Sequence, residues 1–466
     1  MHPQLAADLE RLPELLEAAR GHAAAFLGGL DERPVVPVAQ APAAAAPPTG
    51  GVGFGAALRE FAERWEPGLS AGAGPRYLGF VTGGVTPAAL AGDWLTSTVD
   101  QNPMSSLDPA GQRLERETVG WLRDLFGLSD VHEGNFVSGA TMSNTVGLAV
   151  AREWLGERRG VSPAEAGAAA LGPVRVLSGS PHSSIAKGLS MLGLGRSALV
   201  PVAALPGREA VDPAALERAL READGPCVVV ANTGTVNTVD FDDLRAIAAL
   251  RERYGFWLHV DAAFGAFAAL SPAHAHLVDG IDEADSLCVD LHKWLNVPYD
   301  SAVQFTRRRD LQARVFQNAA AYLGPLGDVP EAVHLTPENS RRLRALAAWF
   351  TLRAYGRDGY REIVERCVAC ARTVGEAVDA HPGLRLLAPV RLNVACFTLA
   401  EDPSAERLAA LARELAGTAF LTPTVYAGQP ALRAAFSNWR TTADDAERVV
   451  KALVDAVDSL RGGAPA

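Results

Sequence analysis

The chain has 466 residues, 48% of them hydrophobic and 21% charged, which exceeds the size at which one core usually stops growing and argues for two or three packed subdomains. A formal net charge of -11, with no long Lys/Arg run to offset it, argues against nucleic acid as a partner. Ordinary globular composition supports neither a disordered nor a fibrous class.

Near the start, Leu5, Leu9, Leu12 and Leu16 recur at alternating four- and three-residue spacings, the pattern of an amphipathic helix that Pro13 kinks or restarts. No basic region followed by an apolar one opens the sequence, and nowhere do about 18 uncharged apolar residues run together, so a cytoplasmic protein with no membrane partner is expected. From Pro34 to Gly51 the run PVVPVAQAPAAAAPPTGG reads as a linker or extended arm. Gly51-Val-Gly-Phe-Gly-Ala56 fits the dinucleotide pattern G-x-G-x-x-G/A, but a Pro-rich stretch stands where that motif needs a strand. It is set aside.

Farther on, apolar runs alternate with helical patterns. CVVVANT from Cys227, FWLHVDAA from Phe256 and SLCVDL from Ser286 read as buried strands, separated by segments such as DDLRAIAALRERYG. This is an α/β layout with a mostly parallel central sheet. After Ser340 comes a long helical pattern interrupted at Gly356 and Gly359. VRLNVACFTLA and PALRAAFSNWRTT then alternate like strands, while SAERLAALARELA and DAERVVKALVDAVDSL read as helices. The expected division is a helical arm and linker over 1–75, a large α/β unit over 76–340 and a smaller C-terminal α+β unit over 341–466.

Cys227, Cys288, Cys367, Cys370 and Cys396 are few and odd in number, as in a reducing compartment. Cys367-Val-Ala-Cys370 has the CxxC spacing but lies in a helical run with no second pair, so it reads as core and no metal site is expected.

Five stretches carry chemistry. Lys293, in SLCVDLHKW, sits where a strand ends; a lysine there loses hydration, which suits either a nucleophilic amine or a side chain that snorkels to solvent. Asp261 closes the apolar strand WLHVD before two small alanines and needs a cationic or hydrogen-bonding partner. Asn135-Phe-Val-Ser-Gly-Ala-Thr-Met-Ser-Asn144 is a small-residue turn into a helix, where free N–H groups suit a phosphate. His182 lies in the loop SPHSSIAK, and ANTGTVN follows the strand CVVV as a polar strand end. All five fall at strand ends, where open α/β sheets bind ligands. Together they suit pyridoxal 5'-phosphate, for which a Schiff-base lysine and an aspartate partner of the pyridinium nitrogen are the recognised protein contribution.

The ordered motifs SGATMSN, PHSS, NTGTVN, HVDAAF and DLHKW, with YLGFVTGG near the start and FSNWRTT near the end, resemble the group II pyridoxal-dependent decarboxylases of fold type I, the family of aromatic amino acid and glutamate decarboxylases. The resemblance implies that Lys293 forms the internal aldimine, that Asp261 pairs with the ring nitrogen, and that His182 and Ala263 flank the ring. It places Thr141, Met142 and His292 at the phosphate and Thr235 and Asn237 in further cofactor contacts. Phe80 and Thr82, with Trp94, would approach the substrate, Phe80 hinting at an apolar or aromatic side chain. Family members are homodimers with the N-terminal helix wrapped on the partner and active sites shared between subunits.

The resemblance also implies a reaction: an L-amino acid displaces Lys293, loses its carboxylate to give a quinonoid, and is reprotonated at Cα. Counting forward from Lys293 places Tyr322 as the acid; His334 is the other candidate. Two departures stand out. The stretch AAYLGPLGDVPEAVHLTPENSRR looks shorter than in aromatic amino acid decarboxylases, which leaves open a lyase, an aldolase or a decarboxylating aldehyde synthase. Asp290 stands where those enzymes tend to have asparagine, and an acid near a phosphate needs a cation or must point away. A catalytically idle scaffold is a third class, against which Lys293, Asp261 and His182 all count.

Overall fold

The computed structural model describes residues 1–37, 42–104, 109–223, 225–318 and 330–462. Among these, seven strands form the large sheet: β1 (Glu133–Val137), β2 (Val176–Ser178), β3 (Leu199–Pro201), β4 (Val228–Asn232), β5 (Trp257–Asp261), β6 (Ser286–Asp290) and β7 (Ala302–Thr306). Their spatial order is β1-β7-β6-β5-β4-β2-β3. Neighbours from β6 to β3 run parallel, and β7 lies antiparallel to both β6 and β1. Every residue of β4, β5 and β6 is buried, so these strands read as unbroken apolar runs instead of alternating.

The covering helices carry local start and stop signals. Asp243 accepts a hydrogen bond from the Ala246 amide and so caps the helix Leu244–Tyr254, which ends at Gly255 with φ 58°. The long helical segment Ala345–Ala380 is two runs joined at Gly356, whose φ of 60° and ψ of -171° interrupt it, whereas Gly359 continues the helix. A second sheet, among the described residues, has the order β10-β11-β9-β8 and is antiparallel: β8 (Leu384–Leu386), β9 (Val394–Leu399), β10 (Thr422–Tyr426) and β11 (Gln429–Ala435). The helices Ala405–Leu415 and Ala443–Gly462 accompany it.

Two N-terminal helices, Pro3–Glu10 and Leu12–Gly28, break at Arg11, and Pro13 sits in the first turn of the second, where its missing N–H is harmless. Gly53 leads into the helix Phe54–Arg64 with no strand before it among the described residues. The chain then runs along the small sheet: the Leu78 amide donates to the Phe420 carbonyl (3.0 Å) and Leu78 accepts from the Ala435 amide (2.9 Å). Arg76, buried, pairs with Asp445 at 2.9 Å. This route delivers Phe80 to the end of the large sheet where β4, β5 and β6 finish. Among the described residues no helix is long and apolar enough to cross a membrane.

Cys367 and Cys370 are buried in the long helix, their thiols directed at the carbonyls of Asn438 and Thr442. Burial pushes the Cys367 thiol up to about 12, and no group of three His/Cys/Asp/Glu able to hold a metal occurs among the described residues.

Candidate active site

A cavity of about 370 Å³ opens at the C-terminal ends of β4, β5 and β6. β5 ends in Asp261, whose buried carboxylate accepts from Asn144 Nδ2 (2.8 Å) and the Ala263 amide (3.2 Å). β6 ends in Asp290, and the single helical turn Leu291–Trp294 that follows carries His292 and Lys293 into the cavity.

Lys293 Nζ lies 3.4 Å from Asp290 Oδ2 and 5.4 Å above the Phe264 ring. His292 Nε2 lies 3.2 Å from the other oxygen of Asp290, and its imidazole packs on Tyr299 with centroids 4.2 Å apart. Burial alone would raise the Asp290 carboxyl, but Lys293 and His292 outweigh it and hold the group below the ordinary carboxylate range. The acid at this position is thus paired with two nitrogen bases. Gly83 fits against this turn because it lacks a side chain: a Cβ there would stand 1.6 Å from the Lys293 carbonyl oxygen. Asn296 Nδ2 donates to the carbonyls of Gly83 (2.6 Å) and Ser437 (2.7 Å), tying three separate segments behind the lysine.

The helix Ala140–Arg159 begins at the cavity from Gly139, with no side chain capping it. Its first-turn amides, including those of Thr141 and Met142, have no intrahelical acceptor and carry the positive end of the helix dipole. Across the cavity His182 caps the helix Ser183–Met191, its Nδ1 accepting from the Ser184 amide (3.3 Å) and meeting Ser184 Oγ (2.8 Å). Desolvation by the surrounding protein, helped by Lys293 and Arg433, lowers the imidazole's pKa against the pull of Asp261.

The structure therefore gathers Lys293, Asp261, His182, Ala263, Thr141, Met142, His292, Thr235 and Phe80 around one cavity. The Thr235 hydroxyl is already committed to Glu209 (2.6 Å), leaving it to serve as wall. Four expected residues lie elsewhere. Asn237 turns away to Glu209, Thr424 and the Val425 carbonyl, because its side chain satisfies the small sheet's edge. Thr82 bonds the Gly79 carbonyl and lines a neighbouring hollow of about 440 Å³, which meets the cavity at Phe80. Trp94 lines a third hollow with Leu27, Pro87 and Arg440. His334 is buried, accepts from the Asn318 amide (3.0 Å) and does not line the cavity. Tyr322 lies outside the described residues.

Two residues escaped the sequence reading. Arg433 on β11 is buried at the cavity wall; its guanidinium donates to the carbonyls of Val236 and Phe80 and has no carboxylate partner within ion-pair distance among the described residues. Nothing in its alternating strand pattern marks it. Asn144, by contrast, stands inside the SGATMSN stretch, whose sequence signal is the backbone N–H groups of a helix start and not this side chain.

The family model of the pyridoxal-dependent decarboxylase conserved domain matches residues 56–400. Among curated proteins, the chain is 27% identical over 403 residues to the aromatic-L-amino-acid decarboxylase of Bacillus atrophaeus, covering 82% of each. It is 31% identical over 393 residues to the L-2,4-diaminobutyrate decarboxylase of Rhizobium meliloti (strain 1021), covering 81% of this chain and 76% of that one. Its fold is similar to that of Oryza sativa TDC, solved with PLP and tryptamine: the TM-score is 0.89 at 22% identity, over 97% of this chain and 98% of the other.

Proposed function

The chain belongs to the pyridoxal-dependent decarboxylase family, whose members are carbon–carbon lyases, and from that premise we propose that it removes the α-carboxylate of an L-amino acid with an aromatic or apolar side chain. The relatives named above act on aromatic and on basic amino acids, so the side-chain class must come from the cavity. The observation that carries it is Phe80, 59% exposed, which walls both the Lys293 cavity and the hollow lined by Tyr77, Val85, Val297 and Tyr299. A flat or apolar side chain leaving the lysine has this hollow beside it.

The donor set fits pyridoxal phosphate. The uncapped helix start at Gly139 and the nearby His292 suit its phosphate. Asp261, anchored by Asn144, suits the ring nitrogen, and the ring has His182 and Ala263 for its faces. When bound, the cofactor supplies an electron sink for the pair released as the bond from Cα to the carboxylate breaks. Asp261 would hold a proton on the ring nitrogen, and Lys293 would supply the amine that holds the cofactor. Arg433, a buried cation with no carboxylate within ion-pair distance among the described residues, engages the substrate carboxylate and orients it. Proton return to Cα is assigned to Tyr322 on the sequence resemblance alone.

We further propose that two copies share the work. The N-terminal helices bury none of their residues in the single chain and leave Leu5, Leu9, Leu12 and Leu16 exposed, a stripe suited to a second copy. Light scattering reads this directly, a single-chain mass removing it.

The deciding experiment is mass spectrometry of products from the cofactor-loaded enzyme given each common L-amino acid, plus L-2,4-diaminobutyrate and cysteine sulfinate, with and without oxygen. An aromatic or apolar amine with carbon dioxide in both conditions supports the reading. A product from an acidic or basic substrate overturns the side-chain class. Aldehyde with peroxide, or aldehyde with glycine, overturns simple decarboxylation.

A further inference from the structure

Behind the cavity floor runs a chain of hydrogen bonds whose directions are all determined. Trp257 Nε1 donates to Ser286 Oγ (2.9 Å), and Ser286 Oγ lies 2.8 Å from His259 Nδ1. His259 Nε2 lies 2.9 Å from Asn144 Oδ1. Asn144 Nδ2 donates twice, to Asp261 Oδ2 (2.8 Å) and to Ser184 Oγ (3.0 Å), and Ser184 Oγ meets His182 Nδ1 at 2.8 Å. Trp257, Ser286, His259, Asn144 and Ser184 are all buried.

Asp261 sets the sense of the chain. An ionised carboxylate can only accept, so the Asn144 amide nitrogen faces it; the flipped carboxamide would put oxygen against oxygen. Asn144 Oδ1 must then accept from His259, which makes Nε2 the protonated nitrogen and leaves Nδ1 to accept from the Ser286 hydroxyl. Complete burial keeps this imidazole neutral, pulling it down to about 4. At the other end the Ser184 amide donates to His182 Nδ1, which makes that nitrogen an acceptor, so the Ser184 hydroxyl, itself accepting from Asn144, directs its proton there too. A neutral His182 therefore carries its proton on Nε2.

We propose that Asn144 is the positioning residue of this site: one carboxamide holds Asp261 as an oriented anion and, through Ser184, fixes His182 in the Nε2–H tautomer. This rests on the reading that Asp261 and His182 face pyridoxal phosphate. The charged and titratable groups around them are Lys293, Asp290 and Arg433 about His182, and His259 and Cys288 about Asp261; Asn144 is the neutral group that joins both arms. Both of its amide hydrogens are in use, so no residue with a single donor can replace it.

The test uses the full chain. Apo forms of the wild type, Asn144→Asp, Asn144→Ser and Ser184→Ala are titrated with pyridoxal phosphate, and the absorbance of the bound cofactor is followed against pH alongside melting temperature. Asn144→Asp puts a second carboxyl against Asp261, so cofactor affinity falls ~10-fold or more and the pH midpoint of the absorbance moves by about one unit. Asn144→Ser, which can donate to Asp261 or to Ser184 but not both, gives a smaller change of the same kind. Ser184→Ala leaves affinity within ~3-fold, since it is not the Asp261 anchor, but moves the acid limb of kcat/KM that reports His182. Lower melting temperatures with wild-type affinity and pH midpoints in both Asn144 variants would make Asn144 a packing residue and overturn the proposal. An unmoved acid limb in Ser184→Ala overturns the His182 arm. A wild type that fails to bind pyridoxal phosphate brings down the proposed function instead.

Discussion

Asp290 and Lys293 stand three residues apart in sequence and 3.4 Å apart in space, the carboxylate buried at the end of β6 and the amine turned over it by one helical turn. The same carboxylate faces His292 at 3.2 Å. The buried acid at the end of β6 is therefore offset by partners of its own.

Removing that charge should matter most when Lys293 is a free ammonium. In the apo protein Asp290→Asn is expected to cost about 2 kcal/mol, below the range for a fully buried pair because Lys293 is partly exposed. Loading with pyridoxal phosphate should narrow the gap, since the lysine is then taken up by the cofactor. Urea midpoints of both forms check this, an equal gap in each counting against it. Because the Asp290 carboxyl is held low, its contribution is complete above the ordinary carboxylate range and is lost as the pH falls through the depressed value.

Arg433→Met leaves the cavity wall apolar and removes the cation assigned to the substrate carboxylate. Loss of a charge-assisted hydrogen bond of about 2–3 kcal/mol predicts a drop of roughly 30- to 150-fold in kcat/KM. Cofactor affinity should stay near the wild-type value. Steady-state kinetics with a cofactor titration separate the two; a parallel loss of cofactor binding would show that Arg433 serves the site's architecture and not the substrate.

His259 predicts an acid-side loss of stability. Its pKa falls from the usual 6.5 to about 4 in the folded chain, so between these values the unfolded chain binds more protons and stability rises with pH. Its contribution is full above 6.5 and declines by up to about 1.4 kcal/mol per pH unit as the pH drops toward 4. His259→Gln should flatten this part of the profile by about one proton, measured as unfolding midpoints in urea from pH 4 to 7. A profile of unchanged slope would show that His259 is not the group that must charge.

The cysteine pair predicts indifference to chelators. Cys367 and Cys370 face the backbone carbonyls of Asn438 and Thr442 with thiols raised by burial, so dialysis against EDTA should leave activity intact. Cys367→Ala with Cys370→Ala should lower stability by about 1–2 kcal/mol through lost packing while keeping kcat. Metal released in stoichiometric amount on unfolding would contradict both.

Much of the candidate site was legible because its parts are local. Asp261, Lys293, His182 and the helix start at Ala140 each sit where a strand or loop passes into a helix, and apolar runs with small-residue ends announce such places in one dimension. Asn237 misled for the same reason: it follows a strand end, yet its carboxamide is claimed by Thr424 and Val425 of the small sheet, a contact spanning nearly 190 positions. Phe80 was nameable, but its place between two hollows was not.

By itself the sequence determined the fold class, the strands β4 to β6 and the order of residues that converge on one end of the sheet, because hydrophobic periodicity and turn chemistry act between near neighbours. Only the tertiary structure decided that Arg433 reaches the cavity with no carboxylate at ion-pair distance among the described residues, that Asp290 is shared by Lys293 and His292, and that Asn144 joins Asp261 to His182. The Asp290 contacts are local, but they depend on how a single helical turn folds back over a buried strand end; the other two depend on burial and on hydrogen-bond direction across contacts such as Asn144–Asp261 and Arg433–Val236, each more than a hundred residues apart, which no local pattern encodes.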